Sequence, residues 1–541
     1  MPLAPLVALL LSTTPTACDT VVVCPDEFRQ ALQPWLEHRT RQGRTFALVS
    51  NLQSPQGIRA GIRQAASGGK LRYVILVGDT ESLQANSPEV RRRRIPVQLT
   101  EAKVTTRWGS ESHIAADNWY ADLDDDAVPD VAIGRLTPDS AGELSRIVAK
   151  ILSYEQSTDF GAWRRRINFV AALGGFGPII DTAVETAAKK LITDGIPPAF
   201  STSMTYANWR SPYCPDPRRF HETSLARINE GCLFWVYMGH ARSRAVDQVR
   251  VPGGAYPILD CNDTAQLNCQ SGAAIACMLA CYTGAFDARQ DCLAEEMLRS
   301  AGGPVAILCG SRVTMPYAMA VMGTELLDAC FVRRSETLGE AVLAAKRSMV
   351  LAERTSATQL FLDSLAKIAN PTSADLAAER AEHVQLFNLL GDPLLRLRHP
   401  GEVRIRAPST VRAGERLRLS GESGVEGSCT VELVARRDQL TFEPPRRSQY
   451  DASPASLVKF SEIYRRANDQ RWIHAQTRAA GGRFDIQLDV PAEARGASHV
   501  RVFIEGSKNF AAGSTEIEIL AAADADSKQA VSGTSSGAIR R

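Results

Sequence analysis

Short apolar runs separated by amphipathic stretches recur along the first 400 residues of the chain. The apolar runs at 21–23, 46–49 and 73–77 have the length of strands, and the segments between them carry apolar positions at helical spacing. Strands that alternate with helices predict a parallel sheet with right-handed crossovers. The pattern therefore predicts an α/β fold, in which we assign an N-terminal subdomain to residues 19–160 and a second subdomain to residues 161–400. The predicted helices cover residues 28–41, 58–66, 140–154, 179–192, 318–333, 338–351 and 375–386.

From residue 403 onward, apolar positions alternate with polar ones at a period of two. Six such runs, with turn residues between them, lie at 403–406, 417–419, 430–434, 484–488, 500–504 and 515–519. This alternation predicts an all-β, antiparallel sandwich at residues 401–521, immunoglobulin-like in the number and length of its strands. A long polar and partly helical insertion is expected in it, from Arg436 to Ala480.

The two ends of the chain differ from both regions. Residues 1–18 carry an apolar run from Leu6 to Leu11 followed by small residues, which predicts a signal or leader segment, although no positive charge precedes the run. An apolar arm packed against the first strand is the alternative interpretation. Residues 522–541 are rich in Ala, Ser and Gly and are predicted to be disordered. No run reaches the roughly 18 apolar residues of a membrane span, so no integral membrane segment is expected.

Composition narrows the classes of partner. The 541 residues include 62 basic and 60 acidic side chains, a formal net charge of +2, so no overall field favours nucleic acid or an anionic membrane. The run of four arginines at 91–94 indicates a solvated loop or, alternatively, a proteolytic processing site. The 12 cysteines are too sparse for a disulfide scaffold and include no zinc-like CxxC pair. A disulfide between Cys261 and Cys269 would be compatible with export.

Two strand-like runs in the second subdomain each end in a reactive side chain. The run 233–238 leads into Gly239 and His240, and the run 273–280 leads into Cys281. Functional groups of an open α/β sheet lie beyond the carboxyl ends of its strands, so neighbouring strands would place His240 and Cys281 side by side. Taken singly, Cys281 is better explained as a buried thiol and His240 as a loop histidine. Together, at the ends of two consecutive strands, they predict a cysteine nucleophile with a histidine base.

The predicted chemistry of this pair is acyl transfer. A free cysteine has a pKa of about 8.5, so only a few per cent is thiolate at neutral pH unless a neighbouring imidazole favours the anion. The thiolate of Cys281 would attack a peptide carbonyl, and His240 would protonate the leaving amine. The backbone N–H groups of Cys281 and Ala241 would bind the oxyanion. This chemistry requires no cofactor.

An acidic loop precedes the strand-like run 131–135. Carboxylates at Asp122, Asp124 and Asp126, with Asp117 upstream, offer the hard oxygen ligands that calcium takes. The spacing resembles the opening of an EF-hand loop, but no glycine follows Asp126 and no acidic residue closes the loop. Two interpretations stay open: a structural calcium site of another kind, and a solvated acidic turn.

A series of short motifs runs in order from about residue 19 to residue 398. Val236-Tyr237-Met238-Gly239-His240 is followed 41 residues later (281 − 240) by Ala280-Cys281-Tyr282-Thr283-Gly284-Ala285-Phe286. The accompanying segments are Val77-Gly78-Asp79, residues 117–122, residues 130–135, Cys292-Leu293-Ala294-Glu295-Glu296 and Leu390-Gly391-Asp392-Pro393. The series resembles the gingipain-type cysteine peptidases, a family of the caspase-like clan.

The resemblance implies a caspase-hemoglobinase-like α/β fold followed by an immunoglobulin-like domain. It also implies endopeptidase activity on protein or peptide substrates, with His240 and Cys281 as the dyad and residues 161–400 as the catalytic subdomain. The acidic residue that orients the histidine in this family maps onto Asp130, and calcium binding in the family supports the acidic loop. The family usually has glycine where Ala241 stands, and its preference for basic residues depends on a pocket acid that the sequence does not locate.

Two other classes of function were weighed against this one. A catalytically silent binding or surface-anchoring protein would keep the fold and act through its β-sandwich. An α/β hydrolase would need a Gly-x-Ser-x-Gly turn at a strand end, whereas the match at 533–537 lies in the tail. A secreted or cell-envelope location is expected, with a cytoplasmic one left open. The natural substrate, the preferred residue before the cut, any zymogen step and the oligomeric state are not specified by the sequence.

Overall fold

The computed structural model describes residues 17–80, 92–175, 178–351, 357–369 and 375–522. Most of the predicted leader and tail, Arg91 and the Gly-x-Ser-x-Gly match at 533–537 lie outside the described residues. The chain forms two compact units. The first comprises Met1–His399 with Pro444–Asn468, and the second comprises Pro400–Glu443 with Asp469–Arg541.

The first unit contains the strands and helices predicted from the alternating pattern, together with others that the sequence did not indicate. Its strands are β1 Thr20–Val23, β2 Phe46–Val49, β3 Tyr73–Val77, β4 Gln98–Glu101, β5 His113–Ala116, β6 Ala132–Leu136, β7 Arg166–Ala171, β8 Ser201–Tyr206, β9 Phe234–Met238, β10 Ala241–Arg242, β11 Ala245–Val246, β12 Gln248–Val251, β13 Gly254–Pro257, β14 Ile275–Leu279, β15 Ala306–Gly310 and β16 Phe387–Leu390. Its helices are α1 Arg29–Arg41, α2 Pro55–Ala66, α3 Asn118–Ala121, α4 Ala141–Gln156, α5 Pro178–Asp194, α6 Phe220–Asn229, α7 Leu293–Arg299, α8 Pro316–Phe331, α9 Leu338–Val350, α10 Ala357–Ala369, α11 Leu376–Leu386 and α12 Pro454–Ala467.

Ten of these strands form one twisted sheet in the order β2-β1-β3-β6-β16-β15-β14-β9-β7-β8. Every neighbouring pair is parallel except β15 and β16, which are antiparallel. All residues of β3, β14 and β15 are buried. Helices cover both faces of such strands, which explains their continuous apolar runs. Strands from both sides of residue 160 belong to this sheet.

Strand β16 changes the predicted sheet from purely parallel to mixed. It has only four residues, which follow helix α11 without a connecting loop, so its apolar positions merge with those of the helix in the sequence. Because β16 runs antiparallel to β15, the amino ends of β6 and β16 lie at the same edge of the sheet as the carboxyl ends of β15, β14 and β9.

The second unit is the predicted β-sandwich. Its strands are β17 Gly401–Arg406, β18 Thr410–Arg412, β19 Arg416–Ser423, β20 Gly427–Ala435, β21 Arg471–Ala479, β22 Arg483–Asp489, β23 Gly496–Glu505 and β24 Phe510–Leu520. They are joined in the order β21-β20-β23-β24-β17-β19-β22, and β18 pairs with β24. Strands β17 and β18 run parallel to β24, so the domain differs from the purely antiparallel prediction at these two pairs. The core is formed by inward-facing residues such as Leu417, Val431 and Val502, all without solvent exposure.

The insertion in the sandwich differs from the prediction at its end. Residues 471–479, expected to be part of the insertion, form strand β21, which pairs with β20 from Gly427 to Val434. A β-bulge between Leu433 and Val434 shifts the register of that pair. Most side chains of β21 are exposed or half-buried, so the strand lacks the apolar alternation by which its neighbours were recognised.

The helical part of the insertion packs within the first unit against strand β8, the edge of the ten-stranded sheet. The Asn468 side chain accepts a hydrogen bond from the Met204 N–H (2.7 Å) and donates one to the Met204 carbonyl (3.0 Å). The Tyr464 hydroxyl lies 2.7 Å from Thr205 Oγ1. Unpaired strand edges promote association between chains. The insertion provides hydrogen-bond partners for the backbone of β8 and hinders the pairing of this edge with another chain.

Candidate active site

The structure brings His240 and Cys281 to the same edge of the sheet. Strands β9 and β14 are parallel neighbours, and their last paired residues are Met238 and Leu279. His240 and Cys281 each follow that pair by two residues, so they leave the sheet at the same level. Both residues are half-buried. The sequence-based expectation that their strands adjoin is confirmed.

The His240 ring is held by a backbone carbonyl. Its Nε2 lies 3.0 Å from the Gly174 oxygen, at the end of the loop that follows β7. A carbonyl can only accept, so Nε2 carries the hydrogen, and in the neutral ring Nδ1 is then the nitrogen without a hydrogen. The main chain is held as well, because the His240 carbonyl accepts from the Tyr237 hydroxyl (2.7 Å) and from the Asp247 N–H (3.1 Å).

Gly239 is required for the turn that presents His240. Its φ is +150°, a region that residues with a Cβ rarely adopt. A Cβ at this position would lie 2.6 Å from the Ala172 Cβ and 3.0 Å from the Tyr237 hydroxyl. The Gly239 N–H donates to the Leu279 carbonyl of the neighbouring strand (3.3 Å), which connects the histidine turn to the cysteine strand.

The Cys281 sulfur lies against the main chain of Thr314, in the loop after β15. The Thr314 N–H donates to Sγ over 3.3 Å, and the Thr314 carbonyl lies 3.6 Å from the same atom. The carbonyl can accept from the thiol, and the N–H can stabilise the thiolate. The Thr314 hydroxyl adds a weaker contact at 3.7 Å. The sulfur thus has a backbone donor and a backbone acceptor of the same residue within reach.

The chain turns sharply after Cys281. Tyr282 has a φ of +58°, the left-handed region that is uncommon for a residue with a side chain. Its N–H donates to the Arg312 carbonyl (3.1 Å), and its hydroxyl donates to Glu111 Oε2 (2.9 Å). Burial, together with Glu111, raises the pKa of Tyr282 to about 12, so the phenol stays neutral and continues to donate. Gly284 completes the turn, where a Cβ would lie 2.3 Å from the Cys309 sulfur.

The two predicted oxyanion donors, the N–H groups of Cys281 and Ala241, follow the carboxyl ends of β14 and β9. Among the residues described, no backbone carbonyl accepts from the N–H of Cys281. Ala241 begins the two-residue strand β10, where it pairs with Val246 of β11. The oxyanion role of both N–H groups stays a prediction.

The structure does not bring Asp130 to His240. Asp130 lies just before β6, and β6 is four strand positions from β9, about 19 Å at a spacing of about 4.8 Å. Its carboxylate accepts from the Leu123 N–H (2.7 Å) and faces Arg347 at 3.5 Å. The His240 ring does contact the Gly174 carbonyl, a backbone group that gives no signal in the sequence because every residue carries one.

The acidic loop is only partly assembled as predicted. Oxygen atoms of Asp122, Asp124 and Asp130 lie within 4.8 Å of one another, a geometry that a cation could bridge. Asp126 instead accepts from the Val128 N–H (2.7 Å). Asp122 already faces Arg59 at 3.2 Å, so part of its charge is balanced within the chain.

Asp117 is separate from that group and forms a buried ion pair. Arg135 Nε and Nη2 donate to its two oxygens over 2.8 and 2.6 Å. The side chains of Arg135 and Asp117 are 0% and 4% exposed. The remaining guanidinium nitrogen donates to the carbonyls of Gly78 and Ile95. Asp117 therefore has a structural role, in which it holds the Arg135 side chain of strand β6.

A second carboxylate group connects two motifs of the resemblance. Asp79, Asp291 and Glu295 have oxygens within 4.8 Å of one another, and Arg299 lies among them. Burial raises the pKa of Glu295 to about 7. Next to Asp79, the Thr80 hydroxyl donates to the Phe286 carbonyl (2.8 Å), which ties this group to the turn after Cys281. The sequence offered Asp79 and Glu295 as motif residues but not their proximity.

Two further expectations concern cysteines and membranes. All 12 cysteines are free thiols, including Cys261 and Cys269. Within the described ranges, no helix has the length and apolar character needed to cross a bilayer.

A family model and several solved structures match this chain, and the matches agree with one another. The model of peptidase family C25 matches residues 13–398. The crystal structure of the Arg specific cysteine proteinase gingipain R (RGPB) aligns with 94% of this chain and 99% of its own, at 16% identity and a TM-score of 0.52. The complex of Porphyromonas gingivalis RgpB pro- and mature domains aligns with 93% of this chain and 100% of its own, at 14% identity and a TM-score of 0.50. No curated protein matches. At these identities the structural likeness shows a shared fold.

Proposed function

Because the chain belongs to peptidase family C25, a family of cysteine peptidases, we propose that it is an endopeptidase in which Cys281 is the nucleophile and His240 the base. One observation carries this proposal. His240 and Cys281 leave neighbouring parallel strands at the same level, each two residues beyond the last paired residue.

The contacts of the two side chains support a sequence of proton and acyl transfers. The Cys281 thiolate attacks the carbonyl carbon of the scissile peptide, and the N–H groups of Cys281 and Ala241 stabilise the oxyanion. His240, whose Nε2–H stays on the Gly174 carbonyl, carries the transferred proton at Nδ1 and gives it to the leaving amine. The same nitrogen then takes a proton from water, which hydrolyses the thioester and restores the thiol.

The backbone N–H of Thr314 also supports the role of Cys281 as nucleophile. It donates to Sγ over 3.3 Å in the resting state, so the anion needs no reorganisation of its surroundings. Cys281 is half-buried just beyond the carboxyl end of β14, so its side chain is partly accessible to a peptide.

The test is hydrolysis of a fluorogenic peptide library by purified protein and by two variants. Cys281→Ala should abolish cleavage, and His240→Ala should lower kcat/KM by at least about 10²-fold, the contribution of a positioned base. Circular dichroism and thermal melting verify that both variants fold. Cleavage by Cys281→Ala at the rate of the parent would refute the proposal.

A parent protein that folds, binds peptides and cleaves none of them would instead support the catalytically silent alternative. Protein or peptide substrates follow from the proposed activity, whereas an exported location rests on the leader prediction alone. We also propose a structural calcium ion at Asp122, Asp124 and Asp130, because three carboxylates within 4.8 Å supply hard oxygen ligands. It would stabilise the loop and take no part in the reaction.

A further inference from the structure

Helix α11 presents three buried polar side chains to the loops around Cys281. They are Glu379, Glu382 and His383, at positions i, i+3 and i+4, which share one face of a helix. Glu379 and Glu382 are 8% exposed, and His383 is fully buried. Charged and polar groups are rarely buried to this degree unless they are paired, so their partners show what the helix supports.

His383 holds the loop that carries Thr314. Its Nε2 accepts from the Met315 N–H, and its Nδ1 lies next to the Glu379 carbonyl, both over 2.7 Å. The carbonyl can only accept, so Nδ1 carries the hydrogen and Nε2 is the acceptor. Both nitrogens of a neutral ring are then satisfied. Burial also lowers the pKa of His383 to about 4, which keeps the ring neutral.

Met315 is directly joined to the residue that contacts the sulfur. The Thr314 N–H donates to Cys281 Sγ over 3.3 Å, and the next N–H along the chain is the one held by His383. Met315 also precedes helix α8 as its N-cap, with no capping bond from its own side chain. The direction of the Thr314 N–H therefore depends on the bond from Met315 to His383.

The two glutamates fix the position of α11 itself. Glu379 Oε1 accepts from the Ala318 N–H in the first turn of α8 (3.2 Å). Glu382 accepts from the consecutive N–H groups of Lys103, Val104 and Thr105 over 2.5, 2.7 and 2.7 Å. The helix is thus attached both to the loop after β15 and to the loop between β4 and β5, so His383 has little freedom to move.

We propose that His383 is a positioning residue for the nucleophile, which aligns the Thr314 N–H with the Cys281 sulfur through Met315. The inference rests on the proposed role of Cys281. His383 itself touches neither the sulfur nor a substrate in this arrangement. Its effect is on the stability of the thiolate, because loss of the Met315 bond lets the Thr314 N–H turn away from Sγ.

Two substitutions of His383 separate its two nitrogens. The carboxamide oxygen of Gln reaches the place of Nε2 and can still accept from Met315, whereas the shorter Asn reaches only the place of Nδ1. Both are polar and both disturb the buried site. We therefore expect Cys281 to keep its reactivity at low pH in His383→Gln and to become less reactive there in His383→Asn.

The readout is the rate of Cys281 alkylation by iodoacetamide at pH 6, divided by the rate at pH 9, measured by mass spectrometry of the Cys281 peptide. A hydrogen bond to a charged group corresponds to about a tenfold change in equilibrium. The ratio should fall about tenfold in His383→Asn and stay within about twofold in His383→Gln. His399→Asn is the matched control, since His399 also binds a backbone carbonyl, that of Ser335, over 2.8 Å.

Equal ratios in the Asn and Gln variants, or a fall of the same size in His399→Asn, would overturn the inference. Thermal melting of each variant shows whether it is folded, and a folded Gln variant whose ratio falls tenfold below that of the parent would also overturn the inference. Alkylation does not require peptide hydrolysis. A parent that cleaves no peptide therefore refutes the proposed function, whereas a parent that cleaves peptides with unchanged ratios in both variants refutes only the role of His383.

Discussion

The assignment of Asp117 to an ion pair rather than to calcium predicts the result of removing its charge. In Asp117→Asn, the fully buried Arg135 guanidinium loses its counter-charge and one of the two carboxylate contacts at 2.8 and 2.6 Å. Removal of one partner of a buried pair costs about 3–5 kcal/mol, because the other charge is left without compensation in a dry environment.

The magnitude can be expressed as a melting temperature. The unfolding entropy is about 2.1 cal/mol/K per residue, so a unit of about 400 residues loses roughly 1.2 °C per kcal/mol. Asp117→Asn should therefore melt about 4–6 °C below the parent in differential scanning calorimetry. The loss should be the same in EGTA and in millimolar calcium, because a side chain held by Arg135 makes no contribution to cation binding.

Asp124→Asn is the matched control, as its exposed carboxylate belongs to the group with Asp122 and Asp130. Its melting temperature should equal that of the parent in EGTA. If a calcium ion binds there, only this variant should lose the stabilisation that calcium gives the parent. The reasoning fails if Asp117→Asn melts like the parent in EGTA and differs from it only when calcium is present.

Three further perturbations test other parts of the structure. Gly239→Ala should lower kcat/KM more than tenfold, because the new Cβ would lie 2.6 Å from the Ala172 Cβ and the backbone φ is +150°. Gly253→Ala is the control and should keep the activity, because Gly253 also has a positive φ but no atom lies near its Cβ position. Asn468→Ala should destabilise the first unit by about 1–3 kcal/mol in urea unfolding, since it leaves the Met204 N–H and carbonyl without partners, and light scattering should show association through the uncovered edge of β8. The His383 pKa, lowered by burial from 6.5 to about 4, means that the unfolded chain binds the proton more tightly, so stability should rise with pH between about 4 and 6.5, by on the order of 3 kcal/mol. Glu379 opposes this trend, because burial raises its pKa from 4.5 to about 7 and stability is lost as pH rises across that window, while the pKa of Glu382, raised by burial but lowered more by its N–H bonds, adds stability above its unfolded value. In His383→Leu the rise due to His383 is absent while the opposing effect of Glu379 remains, so stability should decline as pH increases from 4.5 to 6.5 in thermal melts. A profile like that of the parent would contradict the pKa assignment.

The strands that carry the candidate site were predictable because they are buried on both faces. A continuous apolar run such as Phe234–Met238 needs no alternation to be recognised, and its end marks the position of His240. The sandwich was predictable for the opposite reason, since its faces alternate. Strand β21 could not be predicted because its side chains are mostly exposed to solvent. Strand β16 could not be predicted because it is short and directly follows a helix.

The contacts of the site were less predictable than its location. Gly174 contacts the His240 ring through a backbone carbonyl, which leaves no mark in a sequence, whereas the resemblance implies an acidic partner for the histidine at Asp130. The assignment of Asp130 rests on the resemblance and the assignment of Asp117 rests on the acidic loop, but a carboxylate can serve a cation, an arginine or an N–H group equally well. For Asp117, the position of Arg135 shows which of these partners it has.

The reversal of β16 connects the fold to the proposed role of His383. Phe387, the first residue of β16, pairs with Gly310, the last residue of β15, because the two strands are antiparallel. Helix α11 ends at Leu386 and must therefore lie beside the loop that leaves β15, where Thr314 and Met315 are found. A parallel β16 would begin at the opposite edge of the sheet and carry α11 away from Cys281. The antiparallel pairing of β15 with β16 in the ten-stranded sheet therefore places helix α11 next to the loop that contacts Cys281. The direction of β16, a four-residue strand that the sequence pattern did not reveal, thus determines which groups can support the site.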